Sequence, residues 1–295
     1  MKTIYAQDNL TQLLNQYRHV KHLTVYLKAQ DYYEKLVIYR DNLTIIGVPG
    51  KSRIYFDDYA KKINPVDLGT TFRSSSVCVL GHKVTFVDCI IENTAGLASE
   101  VHQAVALSVY GKHFKMIRGR ILGHQDTLFL GPLPRDLISR YRSYLLPGQL
   151  KPSPTLSIFT QTNIEGSVDF IFGSGTAIFD RCQINLRQKG YLCAPSHYPN
   201  TKYGFIFYRC RIESLNADQS LLGRPWRNYG KAYFLENNFQ AHLDKRFDSW
   251  EKAHFFFYEL PFYDDPLSQA ISLVQAHKLH RLVAKKIKSL SSTQF

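Results

Sequence analysis

Six times along the chain one short phrase recurs: an aromatic residue or Met, two spacers, Cys or a small residue, one spacer, then Ile or Phe. The copies are Phe86/Cys89/Ile91, Met116/Gly119/Ile121, Phe159/Thr162/Ile164, Phe179/Cys182/Ile184, Phe207/Cys210/Ile212 and Phe234/Asn237/Phe239. Successive copies start 30, 43, 20, 28 and 27 residues apart, the period range of a solenoid whose loops differ in length. The first, fourth and sixth positions fit a bend followed by the inward alternation of a short strand, and other β-rich runs adjoin each copy. An all-β parallel β-helix is the economical reading. Its stacked coils would offer a long flat face to an extended polymer.

With 44% hydrophobic residues among 295, the chain can fill one such core, and residues 1–295 are read as a single domain because each coil contacts only its neighbours. Of five cysteines, Cys89, Cys182 and Cys210 share one position of the phrase. They are read as reduced, small apolar fillers, since an odd number does not suit a disulfide framework. The opening MKTIYAQDNL carries one Lys and no apolar run of signal-peptide length, and no segment approaches the ~20 apolar residues of a membrane span. A cytoplasmic chain with no membrane partner is expected, or a secreted one if a leader was removed. A net charge of +13, from 37 basic against 24 acidic residues, calls for a polyanionic partner. The basic residues are scattered, and the dense cluster Lys285, Lys286 and Lys288 reads as a solvated helix face. Charge alone does not choose between nucleic acid and a polyuronide.

Residues 8–17 predict a short N-terminal helix capped by Asp8 or Asn9, with Leu10, Leu13, Leu14 and Tyr17 on one face, closing the end of the solenoid. Strands are expected at Leu23–Leu27, Leu36–Ile38 and within Asn42–Gly47. Residues 131–154, with five prolines, interrupt the repeat as a loop insertion, either a binding element or a spacer. Residues 266–290 form a helical tail: Ile271, Leu273, Val274, Leu279, Leu282, Val283 and Ile287 recur at roughly helical spacing, so the helix should cap or flank the coils.

Two aspartates break apolar segments, Asp126 in Gly123–Phe129 and Asp169 in Val168–Phe172. Each lies five residues beyond the Ile of its phrase, which places them at equivalent points of adjacent coils, about 5 Å apart. Two carboxyls that close in an apolar setting do not both ionise easily, so one stays protonated and the other charged. An internal Asp ladder that only satisfies turn backbone would look the same. Gln103 and Gln125 are amides in otherwise apolar segments and need partners, which a developing oxyanion would supply. Arg224 precedes a stiffening Pro225 and could aim its fork at a carboxylate, and Trp226 offers a flat face to a sugar ring.

In combination and order, Asn93–Gly96, Gln103–Leu107, Gln125-Asp-Thr-Leu-Phe129, Val168-Asp-Phe-Ile-Phe-Gly173 and Leu222-Gly-Arg-Pro-Trp226 closely resemble the pectin methylesterase (pectinesterase) family of carbohydrate esterases, over roughly residues 3–260. The resemblance implies a right-handed parallel β-helix that removes methanol from methyl-esterified galacturonan or oligogalacturonides without a metal or other cofactor. Carried over, Asp169 is the nucleophile, Asp126 the general acid and then base, Gln103 and Gln125 the oxyanion donors, and Arg224 the partner of Asp169. Trp226, Phe172 and Thr71 contact substrate. The chain departs from the pattern at His124 and Ser108, and its 131–154 insertion resembles that of bacterial members. With no export signal visible, a short methylated oligogalacturonide taken up by a bacterium is the expected substrate, and a monomeric enzyme is expected. A related β-helix esterase or thioesterase on another substrate, or a non-catalytic binder of acidic polysaccharide, are the alternatives. The retained carboxylate pair argues against the binder, and Trp226 against a sugar-free substrate.

Overall fold

In the computed structural model, residues 1–6, 8–64, 66, 68–151, 153–214, 220–240 and 245–291 are described. Among them the chain winds through three parallel sheets of eleven, eight and seven strands. A typical turn of the coil runs from Val84–Val87 in the first sheet to Ile90–Asn93 in the second and Leu107–Val109 in the third, then returns to the first at Phe114–Ile117. The result is a parallel β-helix.

The recurring phrase is the register of this helix. Phe86, Met116, Phe159, Phe179, Phe207 and Phe234 are consecutive partners in the first sheet. Ile91, Ile121, Ile164, Ile184, Ile212 and Phe239 are consecutive partners in the second. Between them one residue of every copy (Asp88, Arg118, Gln161, Arg181, Arg209, Glu236) takes a left-handed backbone, φ 50–54°, which turns the chain from one sheet into the next. Asp and Asn accept that conformation with the least strain and Gly with none, so charged and amide residues holding it mark a corner fixed by its neighbours. Inside, Phe159, Phe179, Phe207 and Phe234 stack nearly parallel at 4.7–4.9 Å. Burial of one such ring contributes about 2–3 kcal/mol.

The fourth position of the phrase does more than fill space. Thr162 Oγ1 donates to Met116 O, Cys182 Sγ to Phe159 O, Cys210 Sγ to Phe179 O and Asn237 Nδ2 to Phe207 O, at 3.0–3.4 Å. These cysteines were expected to be inert filler, yet they satisfy corner carbonyls with weak S–H donors. All five cysteines are free and buried; burial pushes the Cys78 thiol up to about 11 and Cys89 to about 12 and raises Cys182 and Cys193 well above the ordinary thiol range, so these four are not nucleophiles at neutral pH.

A helix closes the N-terminal end of the stack, and a second helix lies along its flank. The helix Leu10–Gln16 buries Leu10, Leu13 and Leu14, and Asn9 Oδ1 accepts from Gln12 N at 2.7 Å. Two further amides of its first turn, on Leu10 and Thr11, donate to the Glu34 carboxylate at 2.8 Å. A strand not anticipated from the sequence, Lys2–Tyr5, pairs with Leu23–Tyr26 ahead of that helix. The tail begins with a short strand, Gln269–Ala270, before the helix Leu273–Ser291. Ile271, Ala276, Leu279 and Val283 rest on Ile178, Ile206 and Leu235, the outer side chains of the first sheet. Leu273 and Val274 stay outside that stripe, 78% and 64% exposed, because they fall on the other side of the first turn. Lys285 and Lys288 lie on the solvent face.

The insertion at 131–154 is not a plain loop, although Pro152 lies outside the described residues. It leaves the third sheet, forms the helix Arg135–Arg140 and a 3-10 turn at Pro147–Leu150, and packs Leu133, Leu137, Ile138 and Leu145 in one cluster with Phe72 of the 3-10 segment Leu68–Arg73, with Tyr110, and with Phe129 of the third sheet. Buried Gln149 fastens it, donating to Phe72 O and Tyr110 Oη at 2.8 and 2.9 Å while accepting from Leu146 N at 2.7 Å. Arg73 also donates to Tyr144 O, and Asn64 to Tyr144 Oη.

Candidate active site

The third sheet aligns Leu128 with Ile171, so Asp126 and Asp169, each two residues upstream, occupy equivalent places on adjacent coils. The backbone tie between Asp126 N and Val168 O, 3.1 Å, holds that register. Both aspartates take the left-handed backbone, φ 62° and 50°. The same conformation serves ordinary corners elsewhere in the molecule, so it reflects a turn into the third sheet. Strain alone says nothing about function here.

Arg224 grips Asp169 with both teeth of its fork: Nε donates to Oδ1 at 2.9 Å and Nη2 to Oδ2 at 2.6 Å. The guanidinium is itself sandwiched, 3.9 Å from the Tyr191 ring centroid and 3.8 Å from that of Trp250. Pro225 fixes the segment, and Arg224 N and Trp226 N bond to Cys193 O and Pro195 O of the neighbouring coil. A planar cation clamped between two rings cannot swing away, so Asp169 faces a fixed charge. Gly173 closes the same motif with φ 127°, and a Cβ there would stand 2.1 Å from Leu130 O, which explains why the segment ends in glycine.

The electrostatics separate the two acids. Burial pushes Asp126 well above the usual carboxylate range, the neighbouring Asp169 charge adds to the rise, and Arg224 opposes it. Burial also raises Asp169, but there the Arg224 hydrogen bonds and charge counteract. Of the two, Asp126 is the carboxyl shifted further toward its protonated form, and Asp169 the one whose ionised form Arg224 favours.

All eight side chains anticipated from the sequence line one cleft of about 350 Å³: Thr71, Gln103, Gln125, Asp126, Asp169, Phe172, Arg224 and Trp226. Among the described residues the Gln103 Oε1, an acceptor, is buried without a hydrogen-bond partner. Trp226 presents a partly open ring. Phe172, expected to share the sugar platform, is only 3% exposed and packs edge-on behind Trp226 at 5.7 Å, so it supports the platform. Sequence reasoning missed Tyr191 and Trp250 around Arg224, Phe72 and Arg227 on the walls, and Leu137, Arg140 and Tyr141 of the insertion, which all but Tyr191 also line the cleft. One signal was available: the chain has two tryptophans, and both stand in this cleft.

The profile of the Pectinesterase family matches residues 4–133 and 155–265, and the gap between the two stretches falls inside the insertion. A curated relative, "Probable pectinesterase 56" of Arabidopsis thaliana, is 31% identical over 242 residues, covering 77% of this chain and 74% of its own. "Probable pectinesterase/pectinesterase inhibitor 6" of the same plant is 32% identical over 232 residues, 76% of this chain and 36% of its own. The chain spans about a third of the length of the curated relatives it first matches. Among solved structures, the pectin methylesterase of Aspergillus niger superposes with a TM-score of 0.75 at 19% identity, covering 95% of each chain. That of Yersinia enterocolitica gives 0.74 at 22% identity, covering 89% of this chain and 93% of the other. These matches come from plants, a fungus and a bacterium, so they do not single out the bacterial type that the insertion suggested. A profile match over most of the chain, joined to a β-helix that brings the motif residues into one cleft, shows that the chain belongs to the pectinesterase family.

Proposed function

We propose that the chain hydrolyses methyl esters of galacturonan, polymeric or oligomeric, releasing methanol through an acyl-enzyme formed by a carboxylate pair. The observation that carries this reading is the doubly bonded Arg224–Asp169 pair one coil from Asp126, whose carboxyl is pushed well above its ordinary range. Ionised Asp169 attacks the C6 carbonyl carbon. The carbonyl oxygen becomes an oxyanion within reach of the Gln103 and Gln125 amides. As the C–OCH3 bond breaks, Asp126 gives its proton to the departing oxygen and methanol leaves, with the sugar held to Asp169 as an anhydride. Asp126, now a base, takes a proton from water while the water oxygen attacks the acyl carbon. Asp169 departs as a carboxylate, Asp126 is protonated again, and the polymer carries a free acid. Trp226 supplies a stacking face for a pyranose ring, and the surplus of positive charge suits an acidic polysaccharide. A structurally similar pectin methylesterase has been solved in complex with a hexasaccharide, which supports a cleft of this kind holding sugar.

The rate of methanol release against pH is the test. Activity should fall at low pH as Asp169 protonates, at a pH above the ordinary carboxylate range because burial outweighs Arg224. It should fall again at high pH as Asp126 loses its proton, higher still because burial and the Asp169 charge act together. A bell therefore results. A rate rising steadily from acid to alkaline pH would sink the two-role assignment.

A further inference from the structure

Past the cleft, along the insertion, two more hollows adjoin. The first, of about 290 Å³, shares Arg227 with the cleft. The second, of about 690 Å³, shares Arg135, Tyr198 and Pro199 with the first and adds Lys202 and Tyr203. Among the residues lining these two hollows the cations are Arg227, Arg135 and Lys202, and the single carboxylate is Asp136. Tyrosines accompany the cations: Arg135 lies 5.9 Å from the Tyr198 ring and Lys202 5.3 Å from that of Tyr203. Tyr198 is itself fixed, its hydroxyl donating to Leu133 O at 2.9 Å. Cations next to ring faces, in a channel with one acid, match a chain of acidic sugars.

Arg227 stands at the junction. Its Nη1 donates to Trp226 O at 3.1 Å, and its Nη2 to Asp136 Oδ2 at 3.1 Å. Asp136, from the first turn of the insertion's helix, is 63% exposed. An ion pair so open to water is weak and screened, so a carboxylate delivered by a bound ligand exchanges with it readily. A neutral methyl ester would gain nothing from that exchange.

Resting on the esterase reading above, we infer that this run is a docking groove for the de-esterified stretch of galacturonan. In it Arg227 releases Asp136 to take a galacturonate carboxylate, and Arg135 and Lys202 hold carboxylates farther along. Demethylated product then anchors the chain while an adjoining ester lies at Asp169. The insertion, which lies outside the family profile for residues 134–154, supplies two of the four charged groups and so sets this preference in this particular chain.

Calorimetric titration with unesterified hexagalacturonate, which carries no ester to hydrolyse, tests the groove without turnover. Asp136→Asn frees Arg227 and should tighten binding about fivefold, while the double variant Arg135→Gln/Lys202→Gln should weaken it about tenfold and flatten its salt dependence. All three substituted residues are exposed, so melting temperatures should match the wild type. Fully methylated hexamer, titrated into Asp169→Asn protein with and without the same changes, should shift less than about twofold, because its neutral esters gain little from the cations. Equal dissociation constants for the acid across all variants, or parallel shifts for acid and ester, would overturn the groove. Methanol release by wild type with such unchanged constants would leave the esterase standing and remove only the groove. The predicted shifts without methanol release would do the reverse.

Discussion

Asp169→Asn is expected to lower methanol release by on the order of ten-thousand-fold or more while the coils remain folded, because the variant loses the atom that forms the acyl bond. An amide in that place still meets Arg224, but it neither carries the negative charge nor leaves as a carboxylate. The loss should appear in kcat, since substrate contacts through Trp226 are untouched. Arg224→Met separates positioning from chemistry. Arg224 lowers the Asp169 pKa against the rise from burial, so without it the acid limb of the rate profile should move to higher pH, and the Tyr191–Trp250 clamp loses its filling. A variant at position 169 retaining more than about a hundredth of the wild-type rate would contradict covalent catalysis by this side chain.

A second large effect lies outside the cleft lining, where the last coils close. Arg246, 5% exposed, meets Glu259, 1% exposed, through Nε at 2.7 Å and Nη2 at 2.6 Å. Its guanidinium also lies 4.0 Å from the Tyr263 ring centroid and 4.3 Å from that of Phe239. Asp265 accepts from Arg246 N at 2.8 Å, and Ser268 Oγ donates to the other Glu259 oxygen at 3.0 Å. Burial raises the Glu259 pKa and Arg246 opposes the rise, so Arg246→Met strands an acid in the core. The expected cost is about 3–5 kcal/mol at neutral pH, read as a fall in the urea midpoint with an unchanged slope. Adding Glu259→Leu should recover most of it, because the penalty is the unpaired charge and the pair itself is nearly balanced by desolvation. A single variant as stable as the wild type would show that water reaches Glu259.

The parts legible in the sequence were those fixed by short spacing. The phrase at Phe86, Met116, Phe159, Phe179, Phe207 and Phe234 is read directly because a coil repeats one local problem, an inward ring, a corner and an inward aliphatic. Once the register is known, Asp126 and Asp169 fall side by side without further information. What stayed hidden depends on contacts remote in sequence. Nothing near Arg135–Arg140 says that Leu137 and Ile138 will join one cluster with Phe72 and with Phe129 of the third sheet and so bring Arg140 and Tyr141 to the cleft. Trp250 lies outside the repeat, and its place over Arg224 follows from how the last coils close. The corner cysteines were misjudged for a related reason: periodicity reports size and polarity, and the carbonyl each thiol meets belongs to the coil before it.

The most direct measurement is methanol release by the purified wild-type chain from highly methylated pectin, with EDTA in the buffer. Release that persists in the chelator and ends when the ester is exhausted is the expected result, since in the proposed mechanism every step is carried by Asp169, Asp126 and the two glutamines. No release, or release that EDTA abolishes and a divalent cation restores, would contradict a carboxylate-pair pectinesterase.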